Sequence, residues 1–117
     1  AGVTAEMLVF KEESFGPVVS VIKVKDSEEA LAVANDSCFG LSSAVITNDL
    51  QKAMDLSQRI EAGMVHINNC TAYDEPHVPF GGTKDSGFGR EGGHYSMEEM
   101  TEVKWITIQM GQRHFPF

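Results

Sequence analysis

The chain has few cysteines, few basic residues and no long apolar run. Its two cysteines, Cys38 and Cys70, form neither a Cys-x-x-Cys pair nor a metal-ligand spacing, so we expect free thiols in a reducing cytoplasm and no bound metal. Nine Lys and Arg against 17 Asp and Glu give a net charge of −8, which argues against nucleic acid or an anionic membrane as a partner. No apolar run reaches the roughly 18 residues that a membrane-spanning helix needs.

The remaining composition is that of an ordinary globular protein. The 117 residues are 42% hydrophobic and 22% charged, enough for one domain with its own core. The first residue is alanine and not methionine, so we expect a processed chain or a piece of a longer one.

Alternating, β-branched runs predict three strands, at residues 18–25, 41–47 and 64–68. Two amphipathic helices are predicted between them, the first capped by Asp26 and the second by Asn48. This order predicts an α/β fold, a βαβαβ unit with parallel strands. Such a sheet is normally covered on both faces, and the few helices here suggest that it belongs to a larger, three-layer body.

The rest of the chain is less regular. Residues 69–90 are rich in Gly and Pro and form a long predicted loop, a kind of segment that is usually functional. A short helix at residues 95–100, a last strand at residues 102–110 and a tail at residues 111–117 complete the prediction.

Two groups in the second half suggest chemistry without establishing it. The "GFGREG" stretch at residues 87–92 matches Gly-x-Gly-x-x-Gly, but the glycines follow a loop outside the first turn of the βαβ unit. We therefore expect a glycine-rich backbone that passes close to other parts of the chain. Cys70 and His77 could form a thiol–imidazole pair, although Cys70 follows a strand and lies among acidic residues. His66, in the middle of a strand, is expected in the core or at an interface.

Five segments carry a resemblance to a known family. In order, they read "EESFGPV" (12–18), "NDSCFGLSSAVITNDLQKA" (35–53), "AGMVHIN" (62–68), "PFGGTKDSGFGRE" (79–91) and "TEVKWITI" (101–108). Their order and spacing resemble the C-terminal portion of NAD(P)-dependent aldehyde dehydrogenases. The loop "INNCTAYDEPHVPFGG" (67–82) is most similar to members that act on aromatic aldehydes such as benzaldehyde, salicylaldehyde or vanillin.

The resemblance implies roles for eight residues. Glu13 would hydrogen-bond the nicotinamide ribose hydroxyls of NAD or NADP, and Phe15 would pack beside that ribose. Four residues would line the tunnel for a small-molecule aldehyde: Phe80, Cys70, Tyr73 and His77. Arg90 and Glu102 would form an interface ion pair. The strand at residues 102–110 would extend a neighbouring subunit's sheet in a homo-oligomer, a dimer or a tetramer.

The same resemblance assigns no catalytic residue to this chain. The family's nucleophilic cysteine, general-base glutamate and oxyanion-stabilising asparagine precede the Glu-x-Phe-Gly-Pro motif, so the chain alone is expected to be inactive. Residues 1–101 would be the C-terminal part of the catalytic domain, and residues 102–117 the interface strand and tail. Two alternatives stay open: a free-standing, non-catalytic α/β domain that binds or assembles, and a small thiol enzyme that uses Cys70.

Overall fold

Four helices and four short strands, joined by long irregular segments, lie within residues 2–116, which this computed structural model describes; Ala1 and Phe117 lie outside it. In chain order they are α1 (Leu8–Lys11), α2 (Ser27–Asn35), β1 (Phe39–Gly40), β2 (Ser42–Val45), α3 (Leu50–Arg59), β3 (Met64–Ile67), β4 (Thr83–Lys84) and α4 (Gly93–Glu99). No helix within residues 2–116 is long and apolar enough to cross a membrane.

The centre of the fold is a β2–α3–β3 unit. Strands β2 and β3 are parallel, with Ser42 opposite Met64 and Val45 opposite Ile67, and α3 packs against both strands. A parallel pair needs such a crossover because the chain must return to the same end of the sheet. The predicted parallel pairing of these two runs is therefore confirmed. Strands β1 and β4 form a second, antiparallel pair, with Gly40 opposite Thr83.

Aspartates cap both central helices. The Asp26 carboxylate accepts a hydrogen bond from the Glu29 amide at 2.9 Å, as the sequence predicts for α2. Helix α3 begins one residue later than predicted, because Asp49, and not Asn48, accepts from the Lys52 amide at 3.0 Å. Either side chain can cap a helix, but the aspartate also places a negative charge at the positive end of the helix dipole.

A group of three charges joins α2 to α3. The Arg59 guanidinium donates two hydrogen bonds to Glu28, one of 2.9 Å from Nη1 to Oε1 and one of 2.5 Å from Nη2 to Oε2. The same Nη1 donates to Asp55 at 2.9 Å. The hydrogen bond from Arg59 lowers the pKa of Glu28, and Glu28 in turn raises the pKa of Arg59. This contact therefore stabilises the helix pair at neutral pH and is lost as Glu28 is protonated in acid.

The core is small for the length of the chain. Leu31, Val45 and Ala53 are its buried apolar side chains within residues 2–116. The radius of gyration is 21.3 Å, whereas a compact domain of this length has about 13 Å. Apolar residues of the last segment are each more than 70% exposed: Val103, Trp105, Ile106, Ile108 and Met110. The described chain thus leaves much apolar surface without cover, as expected for a piece of a larger body.

Two predicted strands do not form within the described residues. Residues 18–25 and 102–110 are neither helix nor strand, so only one βαβ unit of the predicted βαβαβ layout is present. The physical reason is that a strand requires a neighbour for its backbone hydrogen bonds, and these two segments have no paired neighbour within residues 2–116. The predicted short helix does form as α4, two residues earlier than expected at its start.

Candidate functional site

Glu13 lies on a cleft of about 570 Å³. Helix α1 ends where the Glu12 amide donates to the Leu8 carbonyl at 2.7 Å, and the chain bends at Gly16–Pro17. The rest of the cleft is lined by Ala34, Ser37, Ser86 and residues 39–43 and 60–62. Among residues 2–116, no side chain or backbone group hydrogen-bonds or ion-pairs with the Glu13 carboxylate, so both of its oxygens can accept bonds from a ligand.

Phe15 does not join Glu13 in lining this cleft. Its side chain is 93% exposed, although it is only two residues from Glu13. An aromatic ring in water at this position has its whole face free for packing against another surface. The structure therefore brings one of the two predicted cofactor residues to the cleft, and the cofactor-binding roles of both Glu13 and Phe15 stay predictions.

The glycine-rich segment passes very close to other backbone, as predicted. A methyl carbon added at Gly63 would lie 1.9 Å from the Gly81 carbonyl oxygen, and one added at Gly92 would lie 2.2 Å from the Val78 carbonyl oxygen. The "GFGREG" stretch lies between β4, which is antiparallel to β1, and α4. A dinucleotide fingerprint instead opens the helix after a parallel strand. Within this stretch the close backbone approach is that of Gly92, since Gly89 faces the Glu99 side chain and nothing lies within 4 Å of a carbon added at Gly87.

Phe80 is held by backbone hydrogen bonds and borders a cavity of about 380 Å³. Its amide donates to the Glu91 carbonyl at 2.9 Å, and the Glu91 amide donates back at 2.8 Å. The cavity has aromatic and apolar walls from Leu41, Phe88 and Met100 together with Phe80. Charged side chains from Arg90, Glu91 and Glu99 line the same cavity. This predicted tunnel residue therefore borders a space whose apolar part suits an apolar ligand group.

The loop at residues 70–77, called the tunnel loop below, contains three interacting side chains. The Tyr73 hydroxyl donates to Glu75 Oε1 at 2.5 Å, and His77 Nε2 lies 3.5 Å from Glu75 Oε2. The hydrogen bond to Glu75 raises the pKa of Tyr73, so the phenol stays protonated and the contact persists at neutral pH. The structure thus brings together two of the predicted tunnel residues, Tyr73 and His77, through a third.

Glu75 is the residue that sequence reasoning did not assign to the tunnel. The signal that could have found it is the spacing of two between Tyr73, Glu75 and His77, since side chains at alternate positions of an extended segment share one side.

Within residues 2–116, no base hydrogen-bonds the Cys70 sulfur. The side chain is exposed, and no hydrogen bond to its sulfur forms in the part of the chain that the structure describes. Its backbone amide donates to Asn69 Oδ1 at 2.8 Å. Nor do residues 2–116 contain a group of three His, Cys, Asp or Glu side chains placed to hold a metal ion. A thiolate nucleophile requires an activating partner, which Cys70 does not have here.

Arg90 and Glu102 do not pair within the described chain. Arg90 Nη1 donates to the backbone carbonyls of Gly82 at 2.8 Å and Gly89 at 2.6 Å, and Glu102 is exposed. Arg90 therefore stabilises the glycine-rich segment, and its pairing with Glu102 stays a prediction.

Comparison with known proteins identifies the family. Residues 1–106 match the aldehyde dehydrogenase family. The chain belongs to this family. It is 50% identical over 114 residues to a vanillin dehydrogenase from a Pseudomonas species, an alignment that covers 97% of this chain and 24% of that enzyme. The chain thus spans about a quarter of the length of the curated relatives that it matches.

Solved aldehyde dehydrogenase structures have the same fold over nearly the whole chain. A salicylaldehyde dehydrogenase from Pseudomonas putida, complexed with salicylaldehyde, has a TM-score of 0.91 at 43% identity and covers 98% of this chain and 24% of its own. An aldehyde dehydrogenase from Mycobacterium tuberculosis, complexed with NAD+, has a TM-score of 0.87 at 40% identity and covers 97% of this chain and 23% of its own. The chain therefore has the fold of one part of the larger aldehyde dehydrogenase domain.

Proposed function

We propose that this chain is the C-terminal portion of an NAD(P)-dependent enzyme that oxidises an aromatic aldehyde to the carboxylic acid. The observation that carries the proposal is the 50% identity with a vanillin dehydrogenase over 97% of the chain. The fold likeness to an enzyme complexed with salicylaldehyde supports the same substrate class. The nucleophilic cysteine would come from a part of the polypeptide that precedes this chain, and this chain would supply no catalytic residue.

Glu13 would hold the nicotinamide ribose. An ionised carboxylate can accept hydrogen bonds from two neighbouring hydroxyls, and such charge-assisted bonds are stronger than neutral ones. The unpartnered Glu13 carboxylate on an open cleft fits a ligand with two hydroxyl donors. Phe15 would pack beside the ribose and limit its movement. When bound, the cofactor supplies a hydride acceptor, and the protein orients it.

Phe80 and the tunnel loop would bind the aldehyde. Phe80 borders a cavity that Leu41, Phe88 and Met100 also line, which supports contact with an aromatic ring. Tyr73 and His77 would line the opposite part of the tunnel with Cys70. In this proposal Cys70 is a wall residue and not a nucleophile, because no base contacts its sulfur within residues 2–116.

The two unpaired segments would become strands in the assembled enzyme. Residues 18–25 would pair within the sheet of the same polypeptide, and residues 102–110 with the sheet of a neighbouring subunit. The exposed Trp105 and Ile108 support this proposal, since burial of large apolar side chains stabilises an interface. A homo-oligomer, with Glu102 and Arg90 in contact across it, is the expected result.

The test is NAD reduction by the polypeptide that carries this chain in its source organism, below called the full-length enzyme. We expect NAD reduction, followed by absorbance, only when both cofactor and benzaldehyde are present. A parallel assay with NADP gives the cofactor preference. The isolated 117-residue chain should show no reduction under the same conditions. Failure of the full-length enzyme with benzaldehyde, vanillin and salicylaldehyde alike would favour the non-catalytic α/β domain instead.

A further inference from the structure

Glu75 joins the two sides of the tunnel loop. One of its carboxylate oxygens accepts the Tyr73 hydroxyl bond of 2.5 Å, and the other lies 3.5 Å from His77 Nε2. A carboxylate accepts bonds at both oxygens, so one side chain can restrain two neighbours. Tyr73 is 47% exposed and is therefore not fixed by burial alone. Its position depends on the hydrogen bond to Glu75.

The Tyr73 ring in turn lies against His66 of strand β3. The two ring centroids are 6.0 Å apart and the planes meet at 78°, an edge-to-face arrangement. His66 Nε2 is buried and has no hydrogen-bond partner among residues 2–116. The imidazole therefore contacts Tyr73 through its ring and not through a hydrogen bond. Tyr73 thus has two restraints, the hydrogen bond at its hydroxyl and the edge contact at its ring.

The base of the tunnel loop is attached to the rest of the fold. Ser42 Oγ of β2 donates to the Thr71 carbonyl at 2.8 Å, and the Gly93 amide of α4 donates to the Pro76 carbonyl at 2.9 Å. Hydrogen bonds therefore attach both ends of the tunnel loop. Between them, the Glu75 carboxylate restrains the side chains of Tyr73 and His77.

We infer that Glu75 is a positioning residue for the aldehyde: it holds the Tyr73 ring against His66, so that the tunnel loop offers a fixed aromatic wall to an uncharged aromatic aldehyde. This inference rests on the proposed function. A fixed ring favours a flat partner, since aromatic pairs have preferred geometries. The charge of the loop limits the substrate further, because residues 70–77 contain Asp74 and Glu75 but no Lys or Arg to bind an anionic aldehyde.

A double-mutant cycle in the full-length enzyme tests the inference. Tyr73→Phe removes only the hydroxyl of Tyr73, and Glu75→Gln removes only the negative charge of the Glu75 side chain. We expect Tyr73→Phe to raise the KM for benzaldehyde about fivefold, the effect of one lost hydrogen bond, with kcat little changed. Gln at residue 75 can still accept a weaker, neutral bond, so Glu75→Gln should raise the KM less. Because both variants act on the same contact, the double variant should be no worse than Tyr73→Phe alone.

Two controls separate positioning from general damage. Oxidation of acetaldehyde, which has no ring, should be unchanged in all three variants. Glu98 is exposed on α4, away from the tunnel loop, and Glu98→Gln makes the same chemical change there. This variant should oxidise both benzaldehyde and acetaldehyde as the wild type does. The wild type should also prefer benzaldehyde to 4-carboxybenzaldehyde by about tenfold or more in kcat/KM.

The outcomes distinguish the inference from the proposed function. Additive effects in the double variant, an equal loss with acetaldehyde, or equal use of 4-carboxybenzaldehyde would overturn the inference while the dehydrogenase function stands. A wild-type enzyme that oxidises none of these aldehydes would overturn the proposed function itself.

Discussion

The Glu13→Gln variant of the full-length enzyme is expected to use NAD about 10- to 100-fold less efficiently than the wild type, measured as kcat/KM for NAD. The substitution keeps the size of the side chain and removes its charge. Two charge-assisted hydrogen bonds to the ribose hydroxyls would become neutral ones, and each neutral bond is weaker. The loss should be larger than for any change in the tunnel loop, because every substrate depends on the same cofactor.

The neighbouring residue provides a matched control for this prediction. Glu12 is also exposed, but it does not line the cleft that Glu13 borders. Glu12→Gln should therefore retain the wild-type efficiency with NAD. Equal losses in the two variants, or no loss in Glu13→Gln, would show that Glu13 does not contact the cofactor.

In the full-length enzyme, the Gly63→Ala substitution is expected to lower the free energy of unfolding by about 3 kcal/mol, at the upper end of the cost of overpacking. The added carbon would lie 1.9 Å from the Gly81 carbonyl oxygen, so backbone must move on one side or the other. Loss of soluble protein, or a melting temperature lower by roughly 6 to 12 °C, is the expected result.

Gly111→Ala is the control, since nothing lies within 4 Å of a carbon added there. That variant should have the same melting temperature as the wild type. If Gly63→Ala also had the melting temperature of the wild type, the close approach of residue 63 to the glycine-rich segment would not exist in the folded protein.

The sequence predicted best those elements whose stabilising contacts are near in the chain. The Asp26 cap bonds an amide three residues away, and the β2–α3–β3 unit is completed within 26 residues, from Ser42 to Ile67. Local patterns carry such information because capping and periodicity depend on neighbouring residues. For the site, the resemblance of the motif around Glu13 predicts a cofactor-binding carboxylate, and the structure places Glu13 on a cleft.

Contacts between distant segments were not predictable in this way. The pair of Arg59 with Glu28 joins residues 31 apart, and no pattern in either helix selects the partner. The strands predicted at residues 18–25 and 102–110 have the right composition, but pairing depends on a neighbour that residues 2–116 do not provide. The exposure of Phe15 has the same origin, because an aromatic residue is buried only where a second surface covers it.

The mass of the native polypeptide tests most directly the claim that this chain is one part of an aldehyde dehydrogenase. An antibody against residues 71–83 would detect that polypeptide in an immunoblot of source cells. Because the chain spans 24% of its vanillin dehydrogenase relative, we predict a product about four times larger than 12.8 kDa. A product of 12.8 kDa would contradict the account, and the free-standing binding or assembly domain would then replace the dehydrogenase as the proposed function.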